Sequence, residues 1–247
     1  MKSVIIIPAR LASTRLPRKL LLKETGKSVL QHTYESASSS QKADRVIVAA
    51  DDEEIEADVK SFGGNVVMTR PDHVCGTDRV AEVAQSLDAE IIVNVQGDEP
   101  EISANAIDLA ISMLEKNLEV PMATLATPIR DPNLLQDPSC VKVVFNRLGQ
   151  AMYFSRSLIP HPRTWSDEVL KSDPANFFQH VGLYGYRRGF LLKIPELAVP
   201  EVEKIESLEQ LRVLYSGNAI QVGLIDHPIA GIDTAEDYAS FVIRHSS

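Results

Sequence analysis

Four cations, Arg10, Arg15, Arg18 and Lys19, stand within ten residues of one another in the segment Pro8-Ala9-Arg10-Leu11-Ala12-Ser13-Thr14-Arg15-Leu16-Pro17-Arg18-Lys19. The chain as a whole carries a formal net charge of -9, so this cluster is not background. Guanidinium groups clamp phosphate oxygens in bidentate fashion, and a lysine adds a mobile point charge. The segment directly follows the apolar run Val4 to Ile7. In open α/β sheets ligands bind beyond the carboxyl ends of strands, so a basic loop there suits a polyphosphate. The bland alternative, a solvated basic loop, explains the composition but not the position.

Two acidic turns complete the set. Gln96-Gly97-Asp98-Glu99-Pro100 follows the apolar run Ile91 to Val95, and a carboxylate projected there can hold Mg²⁺ against phosphate oxygens. Gly-Asp-Glu-Pro is also ordinary turn composition. Gly231-Ile232-Asp233-Thr234 precedes a helix start, where Asp233 or Thr234 reads most simply as an N-cap. Other chemistries fail on spacing. Thr25-Gly26-Lys27-Ser28 ends like a phosphate-binding P-loop, but Leu21 stands where that pattern needs glycine. No GxGxxG follows the first strand, and the six histidines have no HExxH spacing.

These residues need a scaffold, and the first half of the chain alternates strand and helix signals. Strands are expected at 4–7, 45–50, 65–68 and 91–95, too apolar to have a solvated face. Between them, Ser28 and Gln31 form a capping box ahead of Leu30, Thr33, Tyr34 and Ala37. Helices are expected over 51–62, stopped by Gly63-Gly64, and over 77–87; Ser103 is expected to cap a further helix. Such alternation predicts a doubly wound, mostly parallel α/β sheet. The second half is less regular. Strands are expected at 141–145, 180–187 and 220–225, a continuous helix over 205–215, and a last helix from Thr234. Residues 128–138 read as loop, and 155–176 as an excursion from the sheet.

Composition bounds the rest. The 247 residues, 44% hydrophobic, suffice for one large domain or a domain with an insertion. No apolar run is long enough to cross a bilayer, and the opening Met1-Lys2-Ser3 with its short apolar run reads as a buried strand, not a signal peptide. An acidic chain does not bind nucleic acid through bulk charge. Cys75 and Cys140 form neither a disulfide framework nor a zinc spacing, and read as free thiols of a cytoplasmic protein.

PARLASTRLPRK (8–19), TRPDHVCGTDR (69–79), NVQGDEP (94–100), MATL (122–125), VKVV (141–144), YFSRSLIP (153–160), HVGLYGYR (180–187), LEQLR (208–212) and GIDTAED (231–237) together resemble, in order, the blocks of the CMP-Kdo synthetases (3-deoxy-manno-octulosonate cytidylyltransferases). The resemblance covers nearly the whole chain. It implies a Rossmann-like nucleotidyltransferase fold with an inserted sugar-binding and dimerisation subdomain: about 1–125 for CTP, about 126–225 for sugar and dimer contacts, about 226–247 returning to the first part. It implies transfer of CMP from CTP to the anomeric hydroxyl of 3-deoxy-D-manno-octulosonate (Kdo), with loss of pyrophosphate, for lipopolysaccharide biosynthesis. The alternative is another acidic sugar, 8-amino-Kdo or sialic acid. Carried over residue by residue, the resemblance puts Arg10, Ser13, Arg15 and Lys19 on the CTP phosphates, and Arg70, Gly76 and Thr77 around the nucleotide base. It makes Asp98 and Asp233 the Mg²⁺ ligands, and Lys19, Arg10, Asp98 and Asp233 the catalytic set. Gln96, Arg156, His180, Tyr184, Glu209 and Gln210 fall on sugar-side positions. His180 is expected to orient the sugar and not to act as a base. A cytoplasmic homodimer, free of membrane and nucleic acid, is implied. Arg18, Val74, Cys75 and Asp78 depart from the family's usual Gly, Gln, Ser and Glu, and Arg18 is expected to face solvent.

Overall fold

Ser3–Ala9 (β1) pairs in parallel on one side with Arg45–Ala50 (β2) and on the other with Ile91–Asn94 (β4), and all three are almost wholly buried. Val66–Met68 (β3) extends the sheet beyond β2. The computed structural model describes residues 1–13 and 15–245; Thr14 of the basic loop lies outside them. Among the described residues one nine-stranded sheet forms, its main path running β3-β2-β1-β4-β8-β5-β9, with Met122–Pro128 as β5, Phe178–Arg187 as β8 and Ile220–Leu224 as β9. Every strand on that path runs the same way except β8, which is antiparallel to both β4 and β5. The sheet is therefore mixed and mostly parallel, as its apolar strands predict. The reversed strand at its centre is not visible in composition.

Helices cover both faces. Val29–Ser38 (α1), Glu53–Ser61 (α2) and Ala104–Lys116 (α4) pack with Ile5, Ile7, Val48, Val93 and Leu125 on one side. Gly76–Gln85 (α3) covers Val4, Ile6, Ile47 and Ile92 on the other. Ser28 caps α1 as expected, its hydroxyl accepting from the Gln31 N–H at 3.0 Å, but the capping box is only half made, because the Gln31 amide donates to Glu35 at 2.9 Å instead of returning to Ser28. Ser103 takes the N-cap position of α4 without a side-chain cap bond. Pro132–Gln136 (α5) is a single helical turn inside the expected loop.

The second half keeps the strand expected at 141–145 but departs from expectation in three further places. Lys142–Phe145 (β6) and Ala151–Ser155 (β7) form an antiparallel hairpin off the main path. Asp167–Lys171 (α6) and Arg188–Leu191 (α7) are short turns on either side of β8. The helix expected over 205–215 is broken into Glu201–Glu206 (α8) and Gln210–Tyr215 (α9). Ser207 between them lies at φ 50°, in the left-handed region, and ends α8. Ala235–His245 (α10) closes the chain.

Lys142 pins this half together. It is fully buried, and its ammonium group donates to the carbonyls of Asp137 at 2.9 Å, Cys140 at 2.6 Å and Arg156 at 2.6 Å. Burial pulls its pKa down. Removing the ammonium strands three inward carbonyls. Lys142→Met should therefore lower the unfolding free energy by roughly 2–4 kcal/mol in a urea titration. The exposed Lys171→Met should change it by less than about 0.5 kcal/mol.

Candidate active site

Because Ile6 of β1 sits opposite Asn94 of β4, the loops leaving the carboxyl ends of these strands emerge side by side. A cleft of about 330 Å³ opens there, lined by the basic loop (Arg10, Ser13, Lys19), the start of α3 (Cys75, Gly76, Arg79), the turn Gln96–Asp98, and Glu209. Gly97 lets the turn close: a Cβ there would lie 3.2 Å from the Pro8 carbonyl and 3.3 Å from Leu20.

Lys19 begins a 3-10 turn over Lys19–Leu21 and is buried. Its ammonium lies 2.5 Å from Asp98 Oδ2 and 3.2 Å from Asp233 Oδ1. Arg15 adds a contact of 2.8 Å to the same Asp233 oxygen. Asp233 is free for this because it is not the cap of α10. The Asp237 N–H donates to the Thr234 hydroxyl at 3.1 Å, and the Asp237 carboxylate accepts from the N–H groups of Asp233 and Thr234. The Ile232 N–H donates to the Asp98 carbonyl at 2.8 Å, tying the two acidic turns together by backbone. Two carboxylates from distant parts of the chain thus flank one cation.

Arg10, Ser13, Gly76, Gln96 and Glu209 line the cleft. Arg70 does not; its side chain is 68% exposed and points to Glu82. Thr77 is buried, and its hydroxyl donates to Glu209 Oε2 at 2.8 Å, so it joins α3 to the turn before α9. Arg156 lies behind the cleft, its guanidinium donating to the carbonyls of Pro138, Glu206 and Ser207. That clamp holds the left-handed turn that presents Glu209. Gln210 is buried with its Nε2 unpartnered. His180 and Tyr184 sit together on β8 with ring centroids 5.5 Å apart. Burial, then the charges of Tyr186, Glu209 and Glu99, push the Tyr184 phenol well up. Burial alone pulls His180 down to about 3. Arg18 turns its side chain away to pair with Glu54 of α2. Its φ of 56° explains why glycine suits that position.

Four residues carry roles that sequence reasoning did not assign. Glu99, beside Asp98, has an Oε2 that is sealed from solvent without a partner. Burial, then the negative charges of Asp98 and Asp233, push it up to about 8. His73 lines the cleft with its ring held by Glu82. Asp51 accepts the Leu11 N–H of the basic loop at 3.0 Å and the Arg79 guanidinium at 3.1 Å. Arg79 also donates to Thr69 Oγ1 at 2.5 Å and to the Arg70 carbonyl at 3.3 Å. This bracket joins the basic loop, β2, the end of β3 and α3. The available signals were positional: Asp51 closes the apolar run 45–50, as Asp98 follows 91–95, and Glu99 shares the acidic turn.

A family model described as cytidylyltransferase matches residues 4–220, which puts the chain among the enzymes that transfer cytidylyl groups. A 3-deoxy-manno-octulosonate cytidylyltransferase of Rhodopirellula baltica is 48% identical over the full length of both chains. One of Syntrophotalea carbinolica is 46% identical over 96% of each. A solved CMP:2-keto-3-deoxy-manno-octonic acid synthetase complexed with CTP superposes with a TM-score of 0.92 at 39% identity, covering 99% of this chain and 98% of that one. A 4-diphosphocytidyl-2C-methyl-D-erythritol synthase of Anaerococcus prevotii, 16% identical with a TM-score of 0.61, shares the fold. The chain belongs to the 3-deoxy-manno-octulosonate cytidylyltransferase family.

Two measurements check the electrostatics. Between about pH 4.5 and pH 8 the folded protein keeps the Glu99 proton that the unfolded chain releases, so this group costs stability progressively as pH rises through that window. In chelator-treated protein, Glu99→Gln should remove this decline, seen as a flatter plot of unfolding free energy against pH. Arg18→Gly removes a solvent-screened surface ion pair and relieves a left-handed backbone, two small effects of opposite sign. Stability and CTP affinity should both stay close to wild type; a large loss of affinity would put Arg18 on the phosphates.

Proposed function

We propose that the protein transfers CMP from CTP to the anomeric hydroxyl of Kdo and releases pyrophosphate. The observation that carries this reading is the Lys19–Asp98–Asp233 cluster at a cationic cleft, in a chain that matches a CTP-complexed synthetase over its whole length. The sugar is assigned from the full-length relatives named for it.

In this reading the triphosphate lies along the basic loop. Arg10 and Ser13 bind it from the cleft wall, and Arg15 and Lys19 turn to it from their carboxylate partners. The N-terminus of α3, with Gly76 at its start, faces the same space and favours acceptor groups through its free N–H groups. Gln96 and Glu209 at the cleft, with His180 and Tyr184 of β8, would bind the sugar, and Arg156 and Gln210 would support the turn that carries Glu209. Thr77, bonded to Glu209, would link the two subsites. Arg70 would reach the base only by leaving Glu82.

Asp98 and Asp233 are the residues that would hold Mg²⁺. The fit is chemical: both are hard carboxylate donors, and the space between them already accepts a cationic nitrogen. Bound there, Mg²⁺ supplies charge neutralisation at the phosphate and acidifies a coordinated hydroxyl. Lys19, displaced from the carboxylates, would follow the phosphates and stabilise charge as the bond to pyrophosphate breaks. Without a metal, burial and the charges of Asp98 and Asp233 raise the Glu99 pKa and so favour its uncharged form beside the pair. His180, neutral throughout the working range, orients and does not titrate.

A homodimer would form through the second half, where large apolar side chains are exposed. Leu148 and Met152 of the β6–β7 hairpin are 66% and 64% exposed, and Ile205 and Tyr215 on α8 and α9 are 75% and 70% exposed. No helix among the described residues is long and apolar enough to cross a membrane. The free thiols of Cys75 and Cys140 suit a reducing compartment such as the cytoplasm.

A pyrophosphate-release assay with CTP and Mg²⁺ tests the activity. Turnover with Kdo and little with sialic acid is expected; the reverse preference overturns the substrate assignment, and no release with either overturns the reaction. Lys19→Met should lower kcat by at least about 100-fold with the fold intact by circular dichroism. Leu148→Glu/Met152→Glu should run as a monomer in light scattering.

A further inference from the structure

His180 is the one sugar-side residue whose hydrogen-bond polarity the fold dictates. Between β5 and β8 the register jumps: Thr124 stands opposite Tyr184, but the next residue, Leu125, stands opposite Val181. The bulge around Gly182 and Leu183 turns backbone carbonyls toward the Thr124 side chain. Thr124 is fully buried, and its Oγ1 lies 2.9 Å from the Leu183 carbonyl oxygen and 3.2 Å from that of Val181. Carbonyl oxygens only accept, so the single hydroxyl proton goes to them. The lone pairs of Oγ1 are left for the third neighbour, His180 Nε2, at 2.9 Å. That nitrogen must then be the protonated one.

The rest of the ring is equally constrained. Phe154 meets it edge-on at 4.9 Å and Tyr184 tilts against it at 5.5 Å, which fixes its plane. Nδ1 has no protein partner among the described residues, yet it is not one of the sealed, orphaned side-chain atoms, which are Asn94 Oδ1, Glu99 Oε2, Thr127 Oγ1 and Gln210 Nε2. Nδ1 is therefore not sealed from solvent. Two of those orphaned atoms belong to the residues that follow Asp98 and Glu209 in the chain.

We infer that Thr124 is a positioning residue, whose hydroxyl fixes His180 in the Nε2–H tautomer so that Nδ1 presents a pure acceptor to a hydroxyl of the sugar. The inference rests on the proposed sugar-side role of His180 and deepens it. An acceptor-only nitrogen takes a hydrogen bond from a hydroxyl or amine and repels a carbonyl, ether or carboxylate oxygen at the same place. Thr124 and His180 thereby select which part of a polyhydroxy acid faces β8. The burial that keeps His180 uncharged serves the same end, because a protonated ring would offer a donor.

The test has two arms. In free protein with ¹⁵N-labelled histidine, long-range ¹H–¹⁵N spectra at neutral pH should show His180, assigned by its loss in His180→Gln, with Nε2 protonated and Nδ1 bare. Thr124→Ser should keep that pattern, and Thr124→Val should mix the tautomers. In the kinetic arm, Thr124→Val should raise the sugar KM roughly tenfold, with kcat and the CTP KM within about twofold; Thr124→Ser should restore the sugar KM. An unchanged CTP KM separates positioning from general damage. A protonated Nδ1 in wild-type protein overturns the inference. So does a tautomer change in Thr124→Val that leaves the sugar KM unmoved. If Thr124→Val fails to fold, the wild-type spectrum and the sugar KM of His180→Gln carry the same decision: a bare Nδ1 and a raised KM are expected, and failure of either overturns it. Absence of turnover with any acidic sugar would overturn the proposed reaction instead, and the spectra distinguish that failure from this one.

Discussion

Lys19 brings its ammonium to the place where two carboxylates from distant parts of the chain converge, and most of the architecture serves that meeting. Asp98 and Asp233 would repel each other if no cation stood between them. One shared cation turns that repulsion into attraction, with contacts of 2.5 and 3.2 Å. The parallel pairing of β1 with β4 supplies Lys19 and Asp98 from adjacent strand ends. The Ile232-to-Asp98 backbone bond brings Asp233 to them. The Thr234–Asp237 cap leaves Asp233 unencumbered.

Around this centre the fold divides its labour by rigidity. At the basic loop, the Asp51–Arg79 bracket holds the loop through its Leu11 N–H and ties it to the first turn of α3. Within the second half, the Lys142 and Arg156 carbonyl clamps tie the turn at 137–140, the end of β7 and the turn at Ser207 to one another. Thr77, donating to Glu209, is the direct side-chain bridge between the two. Two of the buried unsatisfied groups, Glu99 Oε2 and Gln210 Nε2, belong to residues next in sequence to the cleft-lining Asp98 and Glu209.

The strand–helix alternation of the first hundred residues was legible because its strands are apolar, and the structure keeps each of them, although β3, at the sheet edge, leaves Val67 and Met68 exposed where burial on both faces was expected. Met122–Pro128 was not, because MATLATP mixes small and polar residues that become buried only between β8 and β9. The reversal of β8 is a long-range pairing choice that leaves no local mark. The break at Ser207 was hidden because a non-glycine residue adopts the left-handed conformation. In the site, Lys19, Asp98 and the basic loop were readable from position after apolar runs. Asp233 was ambiguous on residues alone, since a cap and a ligand look identical until Thr234 is seen to do the capping. Glu99, His73 and the Asp51–Arg79 pair escaped because their roles depend on who their neighbours are in space.

If the Lys19 ammonium occupies the place of a divalent cation, deleting it should create a metal site even as it destroys turnover. The direct measurement is Mn²⁺ binding by electron paramagnetic resonance in the absence of nucleotide, since Mn²⁺ shares the oxygen-ligand preference of Mg²⁺. Lys19→Met should bind Mn²⁺ roughly tenfold or more tightly than wild type, because two carboxylates lose their internal counterion. Adding Asp98→Asn or Asp233→Asn in that background should abolish the gain. A Lys19→Met protein that binds Mn²⁺ no better than wild type, or a gain that survives loss of either carboxylate, would contradict the account.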